Sequence, residues 1–316
     1  MAGKGPGAEA GGRAPRSPEL EGFPEEARAA RWLVLPALLG LALFVLLPFL
    51  GAVGLSLTDL RLGSPHGPRF VGLAQYRRLL EDPAFWAALR NNALFAAGVV
   101  PVQTGLALLL ALGLRRRFPG RAPLRTLLFL PVVFPMALVA VMWTVLYAPG
   151  PRGAVNAFLA TLSLGAWEPR DFLHDPAWAL PAVMLTSVWQ GVGFQMVVLL
   201  AGLQAIPREL YEAARVDGAG PWGQFLHVTL PGLRNPLLFV VLVTAILAFR
   251  VFDQIQIMTQ GGPGLATTTL MYEAVRAAYV RQQLAQGAAI SVVFFLLVLG
   301  LTLAQRRLLR QREVLA

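Results

Sequence analysis

The chain has no cysteine, which excludes disulfides, thiol nucleophiles and cysteine-ligated metals. Charge is scarce: 14% of its 316 residues are Asp, Glu, Lys or Arg, where a soluble domain carries roughly a quarter. Lys4 is the only lysine, and histidine is confined to His66, His174 and His227, too far apart in sequence to suggest a clustered metal site. No Gly-x-x-x-x-Gly-Lys-Ser/Thr loop is present, so if the chain works on ATP another polypeptide must hydrolyse it. Carboxylates lie mainly in the amino-terminal stretch and in loops. No Ser or Thr sits near a His in a recognisable motif, so no catalytic constellation is visible. Neither a fixed 20–50-residue repeat nor the alternation of a membrane barrel occurs.

What the chain does have is hydrocarbon. It is 56% hydrophobic with a mean hydropathy of +0.60, which points to an integral membrane protein. The net charge of +10 does not form one basic face of the kind nucleic acid requires; the arginines gather at the ends of apolar segments. Six segments are long and apolar enough to cross ~30 Å of hydrocarbon: residues 32–55, 91–114, 124–147, 179–203, 237–257 and 287–304. The densest basic loop, Arg115-Arg116-Arg117 with Arg121 and Arg125, assigns its side as cytoplasmic, and six crossings place both termini there too. Residues 1–30, rich in Gly, Pro, Ala, Glu and Arg, read as a disordered cytoplasmic tail, and 308–316 as a second cytoplasmic tail. The apolar patch at 155–164 reads as a surface helix too short to span. Asp82-Pro83 reads as a helix start, the carboxylate capping and the proline in the first turn.

Between the fourth and fifth segments lies a polar island, residues 207–236. Leu210, Ala213 and Ala214 fall on one face of its first helix. Gly218 breaks that helix. Gly220-Pro221 starts a second one, with Trp222, Phe225 and Leu226 at i, i+3 and i+4, and Leu230-Pro231 is expected to end it. Two short helices at an angle, joined by a glycine, have a shape suited to engaging another protein at a membrane surface.

Polar side chains within apolar segments are expensive in lipid and are therefore candidates for lining a path. Asn91, Asn92 and Gln103 belong to the second segment, Trp189, Gln190, Gly191, Phe194 and Gln195 to the fourth, and Thr244, Arg250 and Asp253 to the fifth. Arg250 and Asp253, three apart, are expected to pair with each other or with a neighbour. Helix–helix hydrogen bonding is the competing role for each of these groups.

The island carries a resemblance. Glu212-Ala213-Ala214, Asp217-Gly218-Ala219, Phe225 and Leu230-Pro231, closed by Pro236, resemble the EAA loop of permease subunits in binding-protein-dependent ABC importers. A second block, Phe252-Asp253-x-Ile255 leading to Thr259-x-Gly261-Gly262-Pro263 and Thr267-Thr268-Thr269-Leu270, resembles the maltose- and glycerophosphate-type members of that family. The stretch 70–86 resembles their short helix before the second crossing, with Gln75 where asparagine is usual.

The resemblance implies an all-α membrane protein with the six-helix fold of a type I ABC importer permease, occupying residues 31–307. It implies coupling to a separate ATPase through Glu212, Ala213, Ala214, Asp217, Gly218, Ala219, Phe225, Leu230 and Pro231. The small alanines would allow close docking, and Glu212 and Asp217 would bond at the rim or cap the next turn. It further implies a substrate path at Gln190, Gly191, Phe194, Gln195, Thr244, Ala248 and Val251. Partners would be a second, homologous permease, two ATPase copies that hold ATP and Mg, an extracytoplasmic solute-binding protein and membrane lipid. The chain itself would bind no cofactor, metal or nucleic acid and would catalyse nothing. A sugar, oligosaccharide or sugar-like solute is the implied cargo, in a bacterial or archaeal cytoplasmic membrane. The alternatives are an ABC importer for a non-sugar solute and a secondary transporter driven by an ion gradient.

Overall fold

A computed structural model describes residues 24–116 and 118–313, with side chains described over 32–116 and 118–305. Of the stretch read as an amino-terminal tail, residues 1–23 lie outside the described residues. The chain divides into two units, residues 1–51 and 52–316. In the first, a helix begins at Pro24, inside that stretch, and passes through a π-helical turn at Ala42–Leu46. Its side chains from Trp32 to Gly51 are almost all exposed. A continuous apolar surface of that length is suited to lipid rather than water. The apolar run continues to Ser56, and Trp32–Ser56 (α1) is long enough to span.

Among the described residues, the regular elements of the second unit are helices. They are α2 (Ala74–Glu81), α3 (Pro83–Arg115), α4 (Arg121–Val133), α5 (Met136–Leu146), α6 (Ala154–Leu162) and α7 (Ala179–Ala205). These are followed by α8 (Arg208–Val216), α9 (Pro221–Gly232), α10 (Arg234–Phe249), α11 (Leu270–Val275) and α12 (Leu284–Glu313). Among the described residues, extended pairing is limited to an isolated bridge between Thr58 and Phe70. Among the described residues, four helices are long and apolar enough to cross a bilayer, or six if each of two bent pairs counts as one crossing.

The centre of the unit is α3 packed against α7. The two run parallel, since Gly98 lies beside Met184 and, further along, Gln103 lies beside Gly191. In lipid, packing of this kind depends on close approach rather than water exclusion, so small residues belong at the seam. Ala107 and Ala111 of α3 are fully buried there. The start of α3 is as its sequence reads: Asp82 Oδ1 accepts from the Ala84 N–H at 2.9 Å, with Pro83 in the first turn. Helices α2 and α6 also form where short helices were expected, and Gln75 of α2 donates to the Thr58 carbonyl at 2.8 Å.

Two expected crossings differ from straight rods. The third is broken, with α4 and α5 meeting at 103°. Pro131 and Pro135 each remove an N–H, and Phe134, preceding a proline, is extended at φ −81, ψ 137. Its carbonyl accepts from Gln190 Nε2 at 3.1 Å, so the break leaves that group satisfied inside the protein. The fifth stops at Phe249 rather than continuing helically to residue 257. Its 16 residues rise about 24 Å. The chain then passes through Val251 and Phe252 as irregular backbone before a π-helical turn at Ile255–Thr259.

That irregular stretch is held from two sides. Asn92 Nδ2 donates to the Phe249 carbonyl at 3.0 Å, and Thr269 Oγ1 donates to that of Val251 at 3.1 Å. Asn92 Oδ1 also accepts from the Leu270 N–H at 2.8 Å, while Asn91 Nδ2 reaches the carbonyls of Leu265 and Thr268. Thr267, Thr268 and Thr269 are all fully buried, and each hydroxyl donates: to the Gly262 carbonyl, to Glu273 and to the Val251 carbonyl. Glu273, also buried, lies 3.5 Å from Arg276 and 3.2 Å from Arg281. The Gly-Gly-Pro block is thus a scaffold knotted to α3, and Asn91 and Asn92 serve that scaffold rather than line a path. Asn92→Ala strands a buried N–H and a part-buried carbonyl. It is expected to cost about 2–4 kcal/mol, read as an earlier thermal aggregation of the detergent-solubilised protein.

Candidate functional site

The island forms two helices joined at Gly218. The first, α8, closes with paired bonds: the Gly218 N–H reaches the Arg215 carbonyl at 3.0 Å and the Ala219 N–H reaches Ala214 at 2.8 Å. This helix ending needs a left-handed residue after its last turn, and Gly218 supplies it at φ +81. Pro221 opens α9, as read from the sequence. Leu230-Pro231, however, does not end it. A π-helical turn at Phe225–Thr229 precedes the proline, and the Leu230 N–H bonds to the Phe225 carbonyl. The looser winding absorbs the missing Pro231 N–H, and the helix runs on to Gly232.

Tyr211 fixes the pair to the bundle. It is buried, its hydroxyl lies 2.9 Å from Thr229 Oγ1 of α9, and the Arg115 guanidinium sits 4.4 Å above its ring. With Tyr211 turned inward, Leu210, Ala213, Glu212, Asp217 and Gly218 face outward. Val216 is 88% exposed and Trp222 70%. Trp222 stacks on Phe225 at 5.4 Å, while Ala214, Ala219 and Phe225 are half-buried and Leu230 and Pro231 exposed. The outward side is an apolar and small surface with the carboxylates of Glu209, Glu212 and Asp217 beside it. Asp217 does not cap the next turn, because α9 starts with no side-chain cap. Tyr211 and Thr229 were not among the expected site residues; an aromatic among the alanines of the first helix was the available signal.

Deeper in the bundle, a cavity of about 310 Å³ lies between α3, α7 and α10. Of the expected path residues, Gln190, Gly191, Thr244, Ala248 and Val251 line it, joined by Gln103. Gly191 makes room for the Gln103 amide: a Cβ there would sit 3.1 Å from Gln103 Cδ. Phe194 and Gln195 are not in the lining. Gln195 is buried and donates from Nε2 to Thr244 Oγ1, which itself donates to the Val240 carbonyl at 2.7 Å. Gln195 therefore positions Thr244. Ser187 and Gln254 also line the cavity and are hydrogen-bonded to each other.

Arg250 and Asp253 both face this cavity. They do not pair with each other, and among the described residues neither joins an ion pair. The expected i, i+3 contact requires a continuous helix, and the chain leaves the helix between them. The wall therefore offers amides, hydroxyls, the rings of Phe95 and Phe252, and two unpaired charges. Such a set can exchange hydrogen bonds with a polar solute and stack against its apolar faces.

Comparison with known proteins gives the family of the chain. The model of the family described as binding-protein-dependent transport system inner membrane component matches residues 103–313. The chain belongs to this family. It is 36% identical over 288 residues to the trehalose/maltose transport system permease protein MalF of Thermococcus litoralis, covering 91% of this chain and 96% of that one. It is 34% identical over 303 residues to the sn-glycerol-3-phosphate transport system permease protein UgpA of Yersinia pseudotuberculosis, covering 94% and 99%. A crystal structure of a bacterial alginate ABC transporter, in complex with an alginate pentasaccharide-bound periplasmic protein, has a chain of the same fold. The TM-score is 0.78 at 20% identity, over 91% of this chain and 96% of that one. The permease is accordingly an all-α, multi-pass inner-membrane transport component with the fold of an ABC importer permease.

Proposed function

We propose that this permease forms one half of the translocation path of an ATP-driven importer for a sugar, oligosaccharide or sugar-like solute. The carrying observation is the cavity between α3, α7 and α10, where Gln103, Gln190 and Thr244 converge with Phe95 and Phe252. Amide and hydroxyl groups beside aromatic faces suit a polyhydroxylated solute. The trehalose/maltose and glycerol-3-phosphate relatives favour the same cargo class. Ala248 and Val251 offer no side-chain hydrogen bond, so a second, homologous permease supplies the rest of the recognition.

The outward side of α8 and α9, with Glu212, Ala213, Ala214, Asp217 and Gly218, is the surface that docks on an ATPase. Two copies of that subunit hold ATP and Mg, and an extracytoplasmic solute-binding protein delivers the cargo. Closure of the ATPase pair draws the docked helices together and rocks the spans. The arginines around the end of α3 favour a cytoplasmic position for that end and, with six crossings, for both termini.

Uptake by proteoliposomes holding the complete transporter, with binding protein outside and ATP inside, tests the reading across a sugar panel. Uptake should be vanadate-sensitive and indifferent to a protonophore at constant ATP; collapse with the protonophore would make this a secondary transporter. Gly191→Leu, which drives a side chain against Gln103, should lower sugar uptake about tenfold, equivalent to ~1.4 kcal/mol. Unchanged uptake by that variant would move the path elsewhere.

A further inference from the structure

Where α3 ends, a second cavity of about 570 Å³ opens between α3, α8 and α9. Its wall carries four guanidiniums, Arg115, Arg116, Arg208 and Arg215, against one carboxylate, Glu212. Among the described residues none of the four is in an ion pair. Arg115 rests on the Tyr211 ring, and Arg215 Nε donates to the Tyr211 carbonyl at 3.3 Å. These contacts hold the side chains without neutralising them. Concentrated positive charge at the end of a membrane helix attracts an anion at the depth of the lipid headgroups.

The exposed face of α3 indicates what kind of anion. Along α3, Val102 is 53% exposed, Leu106 41% and Leu109 70%, followed by exposed Gly113 and Arg116. Steps of four and three residues keep the first four on one side of the helix, and Arg116 follows just past its end. An apolar track thus leads directly into the arginine cluster. Free phosphate has no use for the track, and an acidic protein loop has none either; a molecule with acyl chains and an anionic head uses both.

We propose that this cavity binds the headgroup of an anionic phospholipid whose acyl chains lie along Val102, Leu106 and Leu109. The phosphodiester oxygens accept from the guanidiniums, which are built for planar, two-pronged phosphate contacts. Because Tyr211 and Glu212 share the wall, the bound lipid would touch the bent helix pair, so membrane composition would bear on its mobility.

Native mass spectrometry of the complete transporter, titrated with phosphatidylglycerol or phosphatidylcholine of matched chains, tests it. The wild type should retain phosphatidylglycerol preferentially, and millimolar inorganic phosphate should not displace it. The double variant R116Q/R208Q should weaken retention about thirtyfold, and R116K/R208K should restore most of it. Should the double variant not fold, R116Q alone, at an exposed position past the helix end, should show about a fivefold loss. Equal retention of the two lipids, or retention unaffected by R116Q, overturns the proposal. Displacement by phosphate would mark a free-anion site instead. Exclusion of lipid whenever the ATPase is bound would assign the arginines to that protein surface.

Discussion

Gly193→Val is expected to abolish recovery of folded permease, reducing monodisperse protein after solubilisation at least about tenfold. Gly193 lies in the middle of α7 in ordinary helical conformation, and what it lacks is space. A Cβ there would fall onto the Leu128 carbonyl oxygen, with Phe129 Cα at 2.8 Å and Leu128 C at 2.9 Å. Backbone cannot rotate aside as a side chain does, so α4 and α7 would have to separate. Separation would also pull Gln190 from the Phe134 carbonyl, leaving the proline break with an unsatisfied acceptor in lipid. Gly98→Ala is the matched control. Its added methyl would meet only the flexible end of Met184, whose Sδ is 2.9 Å away, so solubilised yield should change little. Size-exclusion profiles of the two variants distinguish backbone crowding from a general intolerance of α7 and α3 to larger residues.

Gly218→Val should do the opposite, leaving the permease in the membrane at close to wild-type level while uptake falls at least about tenfold. Nothing lies within 4 Å of a Cβ at this position, so crowding is not the problem. The constraint is φ +81, a region costing an L-residue roughly 1–2 kcal/mol and a β-branched one more. Valine would push the turn out of its left-handed conformation and break the paired bonds to Arg215 and Ala214. The angle between α8 and α9 would change while Tyr211, Thr229 and the buried seam of α3 and α7 remained. If the pair is the lever that an ATPase grips, hydrolysis should continue in the assembled transporter without moving cargo. Asn tolerates positive φ better than other side chains, so Gly218→Asn should recover part of the uptake. Wild-type uptake by Gly218→Val would remove these two helices from the coupling role.

These two glycines mark how far the sequence could be read. Gly218 was legible because a helix ending is local: Asp217-Gly218-Ala219 sits where the period of α8 runs out, and the left-handed turn follows from residue type. Gly193 carried no such mark, since its importance comes from a carbonyl 65 residues earlier in the chain. The polar side chains divided the same way. Gln190 and Thr244 were expected in the path and line the cavity, but Asn91 and Asn92, equally polar and equally placed near an apolar segment, bind the Gly-Gly-Pro block instead. Gln195, one turn past Gly191, orients Thr244 rather than facing the cavity. Arg250 and Asp253 were spaced to pair, yet the break in helix between them leaves both free to face the cavity.

The sequence alone determined the solvent class, the helical architecture, the family, the start of α3 at Asp82-Pro83 and the bend at Gly218. Each of these depends on hydrophobic content, period or the backbone preference of one or two residues, all of which are local. Only the tertiary structure decided which face of each apolar helix meets protein, which polar groups line the cavity and how the proline breaks are satisfied. In water, a helix records its buried face as a hydrophobic stripe. In a bilayer, lipid-facing and protein-facing surfaces are both apolar, so that record is missing and the packing itself supplies it.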